Sequence, residues 1–164
     1  MKPYEIYTDG STLGNGKDAA IGGWAFTIYQ GGHRLTYDYG SARATTNQRM
    51  ELTAILHGLK SWKNLYETEF GSCIIYSDSA YCVNCANQRW YDKWESNGWI
   101  NSQKQPVKNR DLWEELIPFF RDSRITLVKV KGHNGIELNE EVDKLARGAS
   151  ESLKVRLNSE NYCN

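Results

Sequence analysis

The sequence predicts a mixed α/β fold: a five-stranded mixed sheet with an N-terminal antiparallel meander and helices on both faces. Three observations predict it. Apolar and polar residues alternate in three stretches of the first forty positions, Tyr4 to Asp9, Gly22 to Tyr29 and Leu35 to Tyr39. From Thr45 the apolar spacing changes to that of a helix. Short apolar runs then return between helical stretches, and a strand–helix–strand unit following a meander implies a mixed sheet with helices packed on it.

The elements follow in order. Tyr4 to Asp9 alternates, with Ile6 facing one side, and Gly22 to Tyr29 alternates again with Trp24, Phe26 and Ile28 on one face. Gly31-Gly32 is a hairpin signal, and Leu35, Tyr37 and Tyr39 continue as a third strand. Thr45-Thr46-Asn47-Gln48 is a helix-capping sequence, with Gln48 three residues after Thr45. Met50, Ala54, Ile55 and Leu59 recur behind it at helical spacing. Cys73-Ile74-Ile75-Tyr76 is a buried-strand run ending at Ser77-Asp78. A helix from about Ser79 follows, then a Trp-rich stretch from Trp90 to Trp99. Asn109 stands where a cap would precede Leu112, Leu116 and Phe119, with Pro118 near that helix's end. Ile125 to Val130 reads as a strand, and Leu138, Val142, Leu145 and Ala149 mark a last helix. One domain is expected over residues 1–150, with 151–164 a tail or a helix extension through Leu153 and Leu157.

Composition narrows the function classes. At 164 residues, 40% hydrophobic and 24% charged, the chain suits one soluble globular domain that needs no disulfides to bury a core. Twenty basic residues balance twenty acidic ones, so a nucleic-acid site must come from local clustering. The first residues carry no apolar signal segment and no stretch has the length of a membrane span, so a cytoplasmic monomer without membrane association is expected. Cys82 and Cys85 form C-x-x-C without a second pair at zinc-ligand spacing. With Cys73 and Cys163 they read as reduced packing cysteines.

Four carboxylates draw attention. Asp9 ends the first strand pattern and Asp78 ends the Cys73–Tyr76 run, where parallel α/β sheets place functional groups. Glu51 and Asp143 lie beside the apolar stripes of their helices. A carboxylate on a core-facing side costs several kcal/mol unless something positive compensates it. Singly, each also reads as a turn Asp, a surface Glu, or a partner of Arg49 or Lys144.

The residues around them carry a resemblance. Tyr7-Thr8-Asp9-Gly10-Ser11 with Leu13-Gly14-Asn15, Thr46-Asn47-Gln48-Arg49-Met50-Glu51-Leu52, and Ser77-Asp78-Ser79-Ala80-Tyr81 resemble three motifs of type 1 ribonuclease H. Lys131-Gly132-His133-Asn134-Gly135 with Asn139 and Asp143 is similar to the fourth, in the same order. The resemblance implies a ribonuclease H-like fold without a separate N-terminal hybrid-binding domain. It further implies cleavage of the RNA strand of an RNA–DNA hybrid, leaving 5′-phosphate and 3′-hydroxyl ends. Two Mg2+ ions about 4 Å apart would serve, with Mn2+ able to substitute. Asp9 would bridge them, Glu51 and Asp78 would hold one, and Asp143 would complete the other. His133 would assist proton transfer or product departure.

The resemblance also names substrate contacts. Asn15, Asn47 and Gln48 would meet the hybrid's minor groove, where amides bond 2′-hydroxyls. Thr46 and Asn109 would grip a phosphate of the DNA strand. The stretch 88–110 resembles the family's basic protrusion, with five basic residues against Asp92 and Glu95, or net plus three. In it Trp90, Trp94 and Lys108 are nucleic-acid candidates. At least two of Trp90, Trp94 and Trp99 are expected in the core, leaving Trp90 for a deoxyribose. Asn139 joins the contact set from the fourth motif. Two departures bear on affinity: Ala44 stands where many members have Arg, leaving Arg43 to substitute, and the protrusion carries few lysines. Weaker hybrid binding than is usual, with a shallow salt dependence, is expected. An integrase or junction resolvase would not be expected to keep the second motif and the Gly132-His133 loop together. A non-catalytic hybrid-binding module would be expected to have lost a carboxylate.

Overall fold

A computed structural model of the chain describes residues 2–14, 20–67, 71–130 and 137–162. Strands β1 (Tyr4–Leu13), β2 (Ile21–Gln30) and β3 (His33–Arg43) form the meander. Helix α1 (Asn47–Tyr66) leads to β4 (Cys73–Ser77), and α2 (Ala80–Asn87), α3 (Trp90–Asn97) and α4 (Arg110–Phe120) follow. Strand β5 (Ile125–Lys129) and helix α5 (Glu137–Tyr162) close the chain. The sheet order is β3-β2-β1-β4-β5, antiparallel through the meander and parallel from β1 to β4 and from β4 to β5.

The two faces of the sheet are covered differently. On one, Ile6, Phe26, Ile28 and Ile75 meet Leu52, Ile55, Leu59 and Trp62 of α1, and this core continues into α2, α3 and α4. Burial of a Leu, Ile or Phe side chain contributes about 1.5–3 kcal/mol, so this face dominates the stability of the fold. On the other face, Tyr7 and Tyr29 with Val142 form a smaller cluster, to which Tyr76 and Leu138 add. Helix α5 runs unbroken to Tyr162, with Leu153 buried, so residues 151–162 extend the helix.

Two expected caps are corrected. Thr46, not Thr45, caps α1, accepting a hydrogen bond from the Arg49 amide at 3.2 Å. Thr45 is turned inward, its amide donating to the Ala20 carbonyl at 3.3 Å. Asn109 does precede α4, but it sits in the left-handed region at φ 63° and makes no side-chain cap bond. Its Oδ1 accepts instead from Arg49 Nη1 at 3.4 Å.

Candidate active site

The sheet register brings the first two carboxylates together. Parallel pairing of Tyr7 with Tyr76 sets Asp9 and Asp78, each two residues further on, side by side. Glu51 enters from α1, whose first turn lies against β1 at Gly10. A Cβ built on Gly10 would stand 2.5 Å from the Glu51 nitrogen and 2.6 Å from the Met50 carbonyl carbon, so only glycine permits this approach. The result is a trio: Asp9, Glu51 and Asp78 present oxygens within 4.8 Å of one another. Asp143, from α5, lines the same open cavity of about 470 Å³ together with Ser11, Thr12, Asn47 and Ser79.

Electrostatics mark the trio as strained. Burial, then the charge of Asp78, then the side-chain contact and charge of Asp143, push the Asp9 carboxyl up to about 8. Burial, then Asp9 and Asp78, hold Glu51 well above the usual carboxylate range. Glu51 Oε2 is buried and makes no hydrogen bond. An orphaned carboxylate oxygen among like charges lacks a positive partner, and hard oxygen donors at this spacing fit a divalent cation such as magnesium or manganese. Arg49, close to Glu51 in sequence, does not supply it. Arg49 is turned away to Asp111 of α4, with Nη2 2.5 Å and Nη1 3.0 Å from the carboxylate oxygens. Asp143 pairs with Arg147, a residue the sequence reading did not single out although its spacing of one helical turn was visible.

The Arg49–Asp111 fork also draws the first turns of α1 and α4 together. Thr46, Asn47, Gln48, Lys108 and Asn109, all expected to meet nucleic acid, line one cavity of about 580 Å³ there. A larger groove of about 770 Å³ runs beside it under α3, lined by Gln48, Lys93, Trp90 and Lys108 among others. Trp90 is 41% exposed, and its indole N–H donates to Gln88 Oε1 at 2.9 Å. Trp94, also expected to contact nucleic acid, lines the floor of this groove but is only 7% exposed, packed edge-on against Trp113 at 5.4 Å and tilted on Trp99. It supports the groove from beneath.

Asp92 and Glu95, the acids of this region, are both bound by Arg121, and Asp92 also by Arg89 at 2.8 Å. Lys93, Lys104 and Lys108 have no ion pair among the described residues, so the charge facing solvent is basic. Arg43, beside Ala44, pairs with Glu160 on α5 at 3.6 Å. Asn139 is half-buried on α5, with its Nδ2 unpartnered. Asn15 and His133 lie outside the described residues. Cys73, Cys82 and Cys85 are free thiols, pushed up to about 12 by burial, which suits packing rather than redox use.

Comparison with known proteins agrees with this geometry. The family model for RNase H matches residues 1–151. The ribonuclease H of Syntrophomonas wolfei is 44% identical over 154 residues, spanning 93% of this chain and 99% of its own. That of Clostridium botulinum is 39% identical over 155 residues, spanning 94% of this chain and 100% of its own. Among solved structures, LC9-RNase H1, a type 1 RNase H with the type 2 active-site motif, superposes with a TM-score of 0.77 at 25% identity. That match covers 93% of this chain and 74% of the other. The PFV RNase H domain shares the fold, with a TM-score of 0.73 at 23% identity over 93% of this chain and 96% of its own. Among the described residues no helix is long and apolar enough to cross a membrane. The converged carboxylates, the sheet order and the matches along nearly the whole chain lead to one conclusion: this nuclease belongs to the ribonuclease H family.

Proposed function

We propose that the protein hydrolyses the RNA strand of RNA–DNA hybrids with two divalent ions, leaving 5′-phosphate and 3′-hydroxyl ends. The convergence of Asp9, Glu51 and Asp78 around an unpartnered buried oxygen carries the reading. Asp9, Glu51 and Asp78 would hold one ion, and Asp9 with Asp143 the other. Bound there, such ions supply Lewis-acid activation of water and charge neutralisation at the scissile phosphate.

The chain's own residues bind and orient. The cavity between α1 and α4 offers the Thr46 hydroxyl, the Asn109 amide and the Lys108 ammonium to a phosphate of the DNA strand. Asn47 reaches both that cavity and the carboxylate pocket, which suits an amide reading 2′-hydroxyls between them. Trp90 offers an exposed ring to a sugar or base of the DNA strand. Asn15 and Asn139 complete the proposed contacts, and His133 is proposed to move protons near the leaving oxygen. Replacing His133 by Ala is expected to slow turnover without eliminating it.

The direct test is incubation with labelled RNA–DNA hybrid, duplex RNA and duplex DNA, with and without magnesium. Metal-dependent cutting confined to RNA paired with DNA is expected. Cutting of duplex DNA, or equal cutting without metal, would overturn the reading.

A further inference from the structure

Asp143 differs from the other three carboxylates. It lines the cavity with them, but it stands outside the trio whose oxygens lie within 4.8 Å of one another. It touches Asp9 of the trio, and its one basic partner among the described residues is Arg147, one turn further along α5, whose Nη2 lies 2.8 Å from Asp143 Oδ2. The Asp143 side chain is 24% exposed and that of Arg147 55%, so the guanidinium stands on the solvent side of the carboxylate.

The helix beneath them is pinned. Glu141 accepts the Tyr29 hydroxyl at 2.7 Å and Arg34 Nη1 at 2.5 Å. At Gly23 of β2, an added Cβ would lie 2.1 Å from the Ala146 carbonyl oxygen, so the helix backbone rests directly on the strand. What remains free to rearrange at this corner is the pair of side chains, not the helix.

We propose that Arg147 is a positioning residue that serves Asp143 as an internal cation, so that a divalent ion held by Asp143 must first displace the guanidinium. The inference rests on the proposed reading of a carboxylate-held metal site. An exposed pair one helical turn apart is weak. It therefore yields to a divalent ion while setting the concentration at which that ion enters. Arg147 thus makes the Asp143 side the weaker half of the site.

The test is Mn2+ binding to metal-free protein without substrate, followed by the electron paramagnetic resonance of the free ion. Wild type, Arg147→Met, Arg147→Lys, Asp143→Asn and the Asp143→Asn/Arg147→Met double variant are compared. Methionine keeps length and helix propensity without the charge. Arg147→Met is expected to tighten the weaker Mn2+ site roughly fivefold, and Arg147→Lys to fall between it and wild type. In the Asp143→Asn background the arginine substitution is expected to change nothing, since the coupling is between these two residues. Equal affinity in wild type and Arg147→Met would overturn the inference, as would the same gain in the Asp143→Asn background. Absence of any Mn2+ binding by wild type would overturn the metal-site reading itself, a distinct result.

Discussion

The carboxylate pocket and the groove under α3 are built on opposite principles. In the pocket, Asp9 and Glu51 are 6% and 3% exposed, carried by a central strand and the main core helix, and held among like charges. In the groove, the polar groups are solvated, the acids are answered by Arg89 and Arg121, and one tryptophan ring is exposed above a buried aromatic stack. The pocket stores electrostatic strain that a cation relieves, whereas the groove offers ready contacts that need no relief. Under the proposed function, chemistry and grip fall to separate parts of the molecule, and each should be removable without the other.

Asp9→Asn is expected to give the largest effect. Turnover should fall by more than about a thousandfold, while hybrid affinity measured by anisotropy persists. Loss of affinity with turnover would break the separation. Trp94→Ala comes next: removing a buried aromatic from beneath the groove should cost about 3–5 kcal/mol, read from the urea midpoint. Trp90→Ala, four residues away but at the surface, should instead raise KM for hybrid about tenfold with kcat and Tm unchanged.

The metal-free pocket should also reveal itself through pH. A carboxyl such as Asp9, raised from 3.8 to about 8 in the folded state, keeps its proton longer there than in the unfolded chain. The stability this group contributes is then fully present at low pH and is lost as pH rises between those two values. Tm in chelator should fall on the order of 5 °C from pH 5 to pH 8. The fall should be reduced in Asp9→Asn and opposed by added magnesium. A Tm rising over that range would contradict the strained trio. The smallest effect belongs to the groove: Lys93→Gln should reduce the salt slope of hybrid binding by roughly 0.9 and leave metal dependence unchanged.

Much of this was legible in the chain. Alternation in β1 and β2, helical spacing in α1 and α5, and the Cys73–Tyr76 run are properties of consecutive residues, and they place each carboxylate on its element. The motifs then associated the four. Caps were less legible: Thr45 and Thr46 offer the same hydroxyl, and only the bond from Thr45 to Ala20 decides which of them turns inward. The tryptophans behaved likewise, since spacing alone does not distinguish the buried Trp94 from the exposed Trp90.

By itself the sequence determined the element order, the identity of the four acids and the presence of a modest basic stretch, because periodicity and residue type act locally. Tertiary structure alone decided that Asp9, Glu51 and Asp78 form the close trio while Asp143 is held by Arg147. It also decided that Arg49 serves Asp111 and that Arg43 serves Glu160. The physical reason is that a charge chooses its partner by distance and burial. Both depend on how strands pair and helices dock, which neighbours in sequence do not specify.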